Sequence, residues 1–150
     1  MAGTFTKLLY HVVFSTKDRE TLIGADLRPE LYKYIGGIIR GERGTLLEIG
    51  GMADHIHVVA RFRADVSVAE MARLIKCNSS KWANERPDRR FRFEWQSGYG
   101  AFTVSESQLE SVRHYVQGQE DHHQKRTFKE EFVAMLTKHG IAYEERHLWD

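Results

Sequence analysis

An α+β domain built on one antiparallel sheet, of the ferredoxin-like (split β-α-β) type, is what this sequence predicts, and three observations carry it. Runs rich in β-branched and aromatic residues occur near the N-terminus, in the middle and near residue 100. Two segments with apolar residues at helical spacing fall between them. The two middle strand-like runs are joined closely enough to form a hairpin, which gives the order strand, helix, strand, strand, helix, strand. Right-handed crossovers then place the first and third strands side by side at the sheet centre. The helices would pack on one face, leaving the other for function or a partner.

The elements follow in order. "KLLYHVVFSTKDR", Lys7 to Arg19, reads as the central strand, with polar punctuation after Phe14. From Asp26 to Arg43, Pro29 sits in a first turn and Leu31, Tyr34, Ile35, Ile38 and Ile39 recur at helical spacing; Gly41 and Gly44 mark the stop. "TLLEIGGMADHIHVVARFR" supplies strands at roughly Thr45 to Gly50 and His55 to Arg63 around a Gly-Gly-containing turn. The next helix carries Met71, Leu74, Ile75, Asn78 and Trp82 on one face, opens with a Ser67/Glu70 capping box and stops before Pro87. An arginine-rich connector leads to a last strand, Tyr99 to Val104. Ser105 with Gln108, or Ser107 with Glu110, can cap the helix bearing Leu109, Val112 and Val116. A final helix runs from about Thr127 to Lys138.

With 150 residues the chain reads as a single domain spanning 1–150, and 41% hydrophobic with 29% charged residues excludes a disordered or collagen-like class. The net charge of +1 argues neither for nor against a polyanionic partner, so any nucleic-acid surface must come from local clustering. A single cysteine, Cys77, fits a reducing compartment and reads as a small buried hydrophobe. No stretch approaches a membrane span and no signal peptide is legible, so a cytoplasmic location and no membrane partner are expected.

The chemistry concentrates in "ADHIHVVARF". On a strand, His55, His57, Val59, Arg61 and Arg63 share one face, while Ile56, Val58, Ala60 and Phe62 line the core. Paired imidazoles can offer lone pairs to one cation, or they can be partly exposed histidines satisfied by water and backbone. Two ligands do not complete a metal site, and His11, His114, His122, His123, His139 and His147 are further possible donors. In "ESVRHYVQGQEDHH", Tyr115 and Gln119 stand at i and i+4, one above the other on a helical face.

Here the sequence resembles a family: the small HUH-type, single-tyrosine transposases of bacterial insertion sequences, with the related REP-associated tyrosine transposases. The resemblance covers nearly the whole chain, through "YHVVFSTKDR", "DHIHVVARF", "IKCNSSKWANE", "FEWQSGYGAFTVSES", "VRHYVQGQEDHH" and the closing "FKEEFVAMLTKHGIAYEERHLWD". It implies that His55, His57 and Gln119 hold a divalent metal, Mg²⁺ or Mn²⁺, and that Tyr115 attacks DNA to form a covalent 5′-phosphotyrosine. It also implies single-stranded or hairpin DNA as substrate, and a homodimer in which one subunit's tyrosine helix can complete its partner's site.

A DNA surface is expected from Arg61, Arg63, Lys76, Lys81, Arg86, Arg89, Arg90 and Arg92, interleaved with Trp82, Phe91, Phe93 and Trp95; Trp82 also fits the core. Asn78, Ser79 and Ser80 could add contacts to phosphates or bases. Two other readings compete. A domesticated relative would cut repeated chromosomal palindromes with the same site chemistry. A non-cleaving nucleic-acid-binding module could use the same β-α-β-β-α-β plan, although no aromatic sheet motif of the RNA-recognition kind is present and the histidines and Tyr115 would then lack a purpose.

Overall fold

The structure, a computed structural model, describes residues 3–123 and 126–150, the side chains of His122 and His123 excepted. Four strands, β1 (Leu8–Ser15), β2 (Thr45–Met52), β3 (His55–Phe62) and β4 (Gly100–Thr103), form one antiparallel sheet in the order β2-β3-β1-β4. The first and third strands are therefore central, as the crossover rule requires. The helices are α1 (Leu27–Gly41), α2 (Val68–Glu85), α3 (Leu109–Gln117), α4 (Gln119–His123) and α5 (Phe128–Lys138).

Strand parity divides the side chains between two cores. Val12 and Phe14 of β1 and Ile56, Val58, Ala60 and Phe62 of β3 pack against Leu31, Ile35 and Ile39 of α1 and Met71 and Ile75 of α2. Each such fully buried aliphatic side chain contributes roughly 1.5–3 kcal/mol. On the opposite face Val13 and Phe102 meet Phe128, Phe132, Met135 and Leu136 of α5, with Leu148 and Trp149 at the margin. The expected bare face is therefore covered, because α5 has an apolar stripe of its own to bury. Both stacks place the sheet in the middle.

Local corrections have local causes. Gly50 and Gly51 lie inside β2, and the hairpin turns instead at Ala53 and Asp54. On α2 the buried stripe is Met71, Ala72, Ile75, Ser79 and Ala83, about one position round from expectation, so Asn78 faces solvent. Cys77 is exposed rather than buried for the same reason. Only one arm of the Ser67 box forms: Ser67 Oγ accepts from the Glu70 amide at 3.0 Å, while the Glu70 carboxylate takes Arg73 instead. The start of α3 has no side-chain cap and is preceded by a 3₁₀ turn, Glu106–Gln108. The complete capping box belongs to α5, where Thr127 and Glu130 satisfy each other's amides, worth about 1 kcal/mol to that helix. Among the described residues no helix is long and apolar enough to cross a membrane.

Candidate active site

Because β3 is hydrogen-bonded on both sides, its side chains have little freedom to move, and the odd-numbered ones project into the α5 side of the sheet. His55 and His57 are both fully buried there, with ring centroids 5.2 Å apart. Each ring is fixed through its Nδ1. His55 Nδ1 donates to the Asp54 carboxylate at 2.7 Å, and His57 Nδ1 lies 2.8 Å from His11 Nε2, whose strand position is diagonal to it. Phe128 stacks flat on the His55 ring at 4.1 Å. Burial first, and then the neighbouring His57, depress the His11 pKa to about 3, so this third ring is a neutral hydrogen-bond partner.

Anchoring at Nδ1 directs both Nε2 atoms to one place. His57 Nε2 is 3.0 Å from Glu131 Oε1; His55 Nε2 is 3.6 Å from the same oxygen and 3.0 Å from Gln119 Oε1. The Gln119 amide is oriented by its own contacts, since Nε2 donates to Glu131 Oε2 at 3.2 Å and to the Tyr115 carbonyl at 3.4 Å. Tyr115 donates its hydroxyl to the other side of the cluster, to Glu131 Oε2. Burial, and then Glu131, raise the phenol's pKa, so it is a neutral donor. Burial alone would raise the Glu131 carboxyl as well; hydrogen bonds from His57 and Tyr115 and the imidazole charges outweigh it and hold Glu131 ionised, below the usual carboxylate range.

The donor set suits a cation. With its Nδ1 donating to the Asp54 carboxylate, the His55 ring turns Nε2 toward Gln119 Oε1 and Glu131 Oε1, where His57 Nε2 also points. Imidazole nitrogens and side-chain oxygens converging on one place are ligand types that suit a divalent cation. The ligand atoms of His55, His57 and Glu131 all lie within 4.8 Å of one another, a cluster able to hold a metal. The Asp54 carboxylate and the His11 ring are outer partners of the kind that orient metal-binding imidazoles.

Gly50 brings the tyrosine helix to this cluster. It pairs with His57 across the β2–β3 ladder, and a Cβ added there would lie 2.4 Å from the carbonyl oxygen of Val116. The backbone of α3 therefore rests directly on β2, which places Tyr115 and Gln119 over the rings even though the helix breaks at Gly118 between them. Gly50→Ala should push α3 outward, destabilising the fold by about 1–3 kcal/mol and lowering any Tyr115-dependent activity at least tenfold. Thermal melts and single-turnover assays at a temperature where the variant is folded check this; wild-type activity in a folded variant would contradict it.

The structure thus gathers His55, His57, Tyr115 and Gln119, all anticipated, and adds Glu131, which was not. A clue was present in "FKEEF": Glu131 stands three residues after Phe128 and four before Met135, inside the apolar stripe of α5. A carboxylate in a core stripe needs a cationic or hydrogen-bonding partner. Of the other histidines, His11 is the ring partner of His57. His139 donates through Nδ1 to the Met135 carbonyl at 2.9 Å, His114 and His147 are exposed, and the side chains of His122 and His123 lie outside the described residues.

The expected DNA-contact residues divide. Arg61 and Arg63 share the parity of the histidines but lie, respectively, at and just beyond the far end of β3, Arg61 about 20 Å from His55 at the strand rise. Arg61 there donates to Thr45 Oγ1, and Arg63 pairs with Asp65. Ser79 is fully buried and accepts the indole N–H of Trp95 at 2.9 Å, so it offers nothing to a ligand. Lys76 is half-buried and braces the 97–98 loop by donating to two carbonyls at 2.7 and 2.9 Å. Phe93 and Trp95 are buried; Trp82 stacks on Tyr34 at the core's edge; Phe91 is 68% exposed. Asn78, Lys81, Arg89, Arg90 and Arg92 are exposed and Ser80 partly so. Ser80 and Arg92 line a groove of about 520 Å³ between α2 and the segment before β4, and Arg89 and Arg90 line another of about 420 Å³ near the start of α1.

A family profile described as "Transposase IS200 like" matches residues 4–119. A solved structure from Deinococcus radiodurans R1, described as a candidate transposase, is similar with a TM-score of 0.62 and 20% identity, over 79% of this chain and 95% of that one. A second, of a REP-associated tyrosine transposase bound to a REP hairpin, is similar with a TM-score of 0.55 and 14% identity, over 77% of this chain and 67% of that one. At these identities the two structures bear on the fold alone. No curated protein matches the chain significantly.

Proposed function

Because the chain belongs to the IS200-like transposase family, we propose that it cleaves and rejoins single-stranded DNA at the ends of a mobile element, with Tyr115 as nucleophile. The observation that carries this reading is the convergence of the Tyr115 hydroxyl and the His55/His57 pair on one buried carboxylate within a single chain. The Tyr115 Oη–phosphorus bond forms as the P–O3′ bond breaks, leaving a 5′-phosphotyrosine and, after proton uptake, a free 3′-OH. The ester retains the free energy of the phosphodiester, so a second 3′-OH can reverse the step without ATP.

A free tyrosine has a pKa of about 10 and is roughly one part in a thousand ionised at neutral pH; Tyr115, raised further, depends more on activation. A divalent cation, Mg²⁺ or Mn²⁺, held by His55, His57 and Gln119 would polarise the scissile phosphate and stabilise the charge that develops on it. Asp54 and His11 hold the rings in register for that task, and α3 aims the phenol. The site's groups lie within reach of one another in one chain, an arrangement compatible with cleavage in cis. Exchange of the tyrosine helix with a second copy, the homodimer arrangement the resemblance implies, would serve rejoining.

The exposed Asn78, Lys81, Arg89, Arg90 and Arg92 and the partly exposed Ser80 follow the DNA backbone, with Phe91 available to stack on a base. The REP hairpin held by the similar tyrosine transposase supports a hairpin-forming strand as substrate, and it favours as second reading a domesticated enzyme acting on repeated palindromes. Incubation with labelled single-stranded DNA from the flanking sequence and Mn²⁺ should give a covalent adduct on a denaturing gel. No adduct with Mn²⁺ or Mg²⁺ on any flanking strand overturns the proposal.

A further inference from the structure

The family match ends at residue 119, yet one side chain beyond it stands at the centre of the site. Glu131 is fully buried, and its two oxygens do different things. Oε1 faces the two imidazole Nε2 atoms, at 3.0 Å from His57 and 3.6 Å from His55. Oε2 accepts from the Tyr115 hydroxyl and from the Gln119 amide. A carboxylate buried this deeply is costly unless every lone pair is used, and here the uses fall on opposite sides of the group.

We propose that Glu131 is a catalytic residue that joins the two halves of the site: Oε1 is a ligand to the metal beside His55 and His57, and Oε2 is the seat that holds the nucleophile's hydroxyl at a fixed place relative to that metal. The inference rests on the transposase reading and adds to it a residue, a charge and a helix. The metal site then has two imidazoles, an amide oxygen and a carboxylate, and its single negative charge favours a divalent ion over the neutral set of His55, His57 and Gln119 alone. One rigid planar group would then link the nucleophile's hydroxyl to the ring nitrogens that would hold the ion. The C-terminal helix, held in place by Phe128, Phe132 and Met135 in the second core, becomes part of the active site and not only its cover.

Two substitutions separate the two roles. In Glu131→Gln the amide oxygen must occupy the Oε2 position, because both Tyr115 and Gln119 donate there; its NH₂ then points at the imidazoles, and the ligand is lost while the seat is kept. Glu131→Ala removes both. Binding of Mn²⁺ alone, followed by electron paramagnetic resonance, should show one ion per wild-type chain and an affinity lower by about tenfold or more in both variants. Adduct formation should recover in Glu131→Gln as Mn²⁺ is raised, and should stay below about a tenth of the wild-type rate in Glu131→Ala at any Mn²⁺ concentration. A packing role alone would not give that split.

Glu131→Gln binding Mn²⁺ within about twofold of wild type, or Glu131→Ala reaching the wild-type rate, overturns the role of Glu131 and leaves the transposase reading standing. Wild-type protein that neither binds Mn²⁺ nor forms an adduct overturns both. Circular dichroism establishes which variants fold. If Glu131→Ala does not, the Mn²⁺ affinity of Glu131→Gln decides.

Discussion

Tyr115→Phe abolishes the covalent protein–DNA adduct and lowers strand cleavage by at least about a thousandfold, the scale on which loss of a nucleophile is felt. The substitution deletes one oxygen. Glu131 keeps its bonds to His57 and Gln119, and the ring keeps its edge contacts with His11 and His57, so the fold should lose only about 1 kcal/mol, the worth of one hydrogen bond. Metal binding should persist, because the lost hydroxyl is no member of the ligand set. A single-turnover assay with 3′-labelled DNA, whose label stays on the protein-linked fragment, run beside a thermal melt and a Mn²⁺ titration, reads all three. Adduct surviving at the wild-type level would assign the nucleophile to another residue.

His57→Ala has the other large effect. It removes a proposed metal ligand and at the same time takes one partner from the Glu131 carboxylate and one from the His11 ring, so two losses have to be told apart. Breaking this buried pair should cost about 3 kcal/mol of stability, visible as a lower melting temperature. Cleavage should fall by at least about a thousandfold even where the variant is folded. DNA affinity should change by no more than a few-fold if, as proposed, it rests on the exposed cations of α2 and the 89–92 segment rather than on a sealed ring. Chelation of metal from wild-type protein provides the control: EDTA should reproduce the loss of cleavage without the loss of stability, and Mn²⁺ should restore it. Cleavage by wild type in excess EDTA would make His57 a structural histidine.

The outline of the fold was legible because β3 alternates strictly and α1 repeats at helical spacing, and these periods report burial directly. The face of β3 that carries His55 and His57 was read correctly for the same reason, and the match of Tyr115 with Gln119 gave the rest of the anticipated site. What covers that face was not legible. The apolar stripe of α5 announces that something must be buried, but not against which surface, and Glu131 meets His57 across 74 residues of chain. Ser79 misled because a hydroxyl in a polar-looking run, "CNSSK", takes its meaning from Trp95, sixteen residues on and folded back against α2. Arg61 and Arg63 share the histidines' parity, but parity fixes a face and says nothing of distance along the strand, which sets them well away from the rings. Asp54 and His11 escaped notice as ring partners since their role depends on which imidazole nitrogen they meet.

Mapping the covalent bond itself tests the central claim most directly. Wild-type protein is allowed to react with a single-stranded oligonucleotide in Mn²⁺, the adduct is digested with nuclease and protease, and the modified peptide is sequenced by mass spectrometry. The account predicts a nucleotide 5′-phosphate on the hydroxyl of Tyr115, within the peptide that begins at His114. A phosphate on any other side chain, or cleaved DNA with an unmodified Tyr115 throughout, would contradict it.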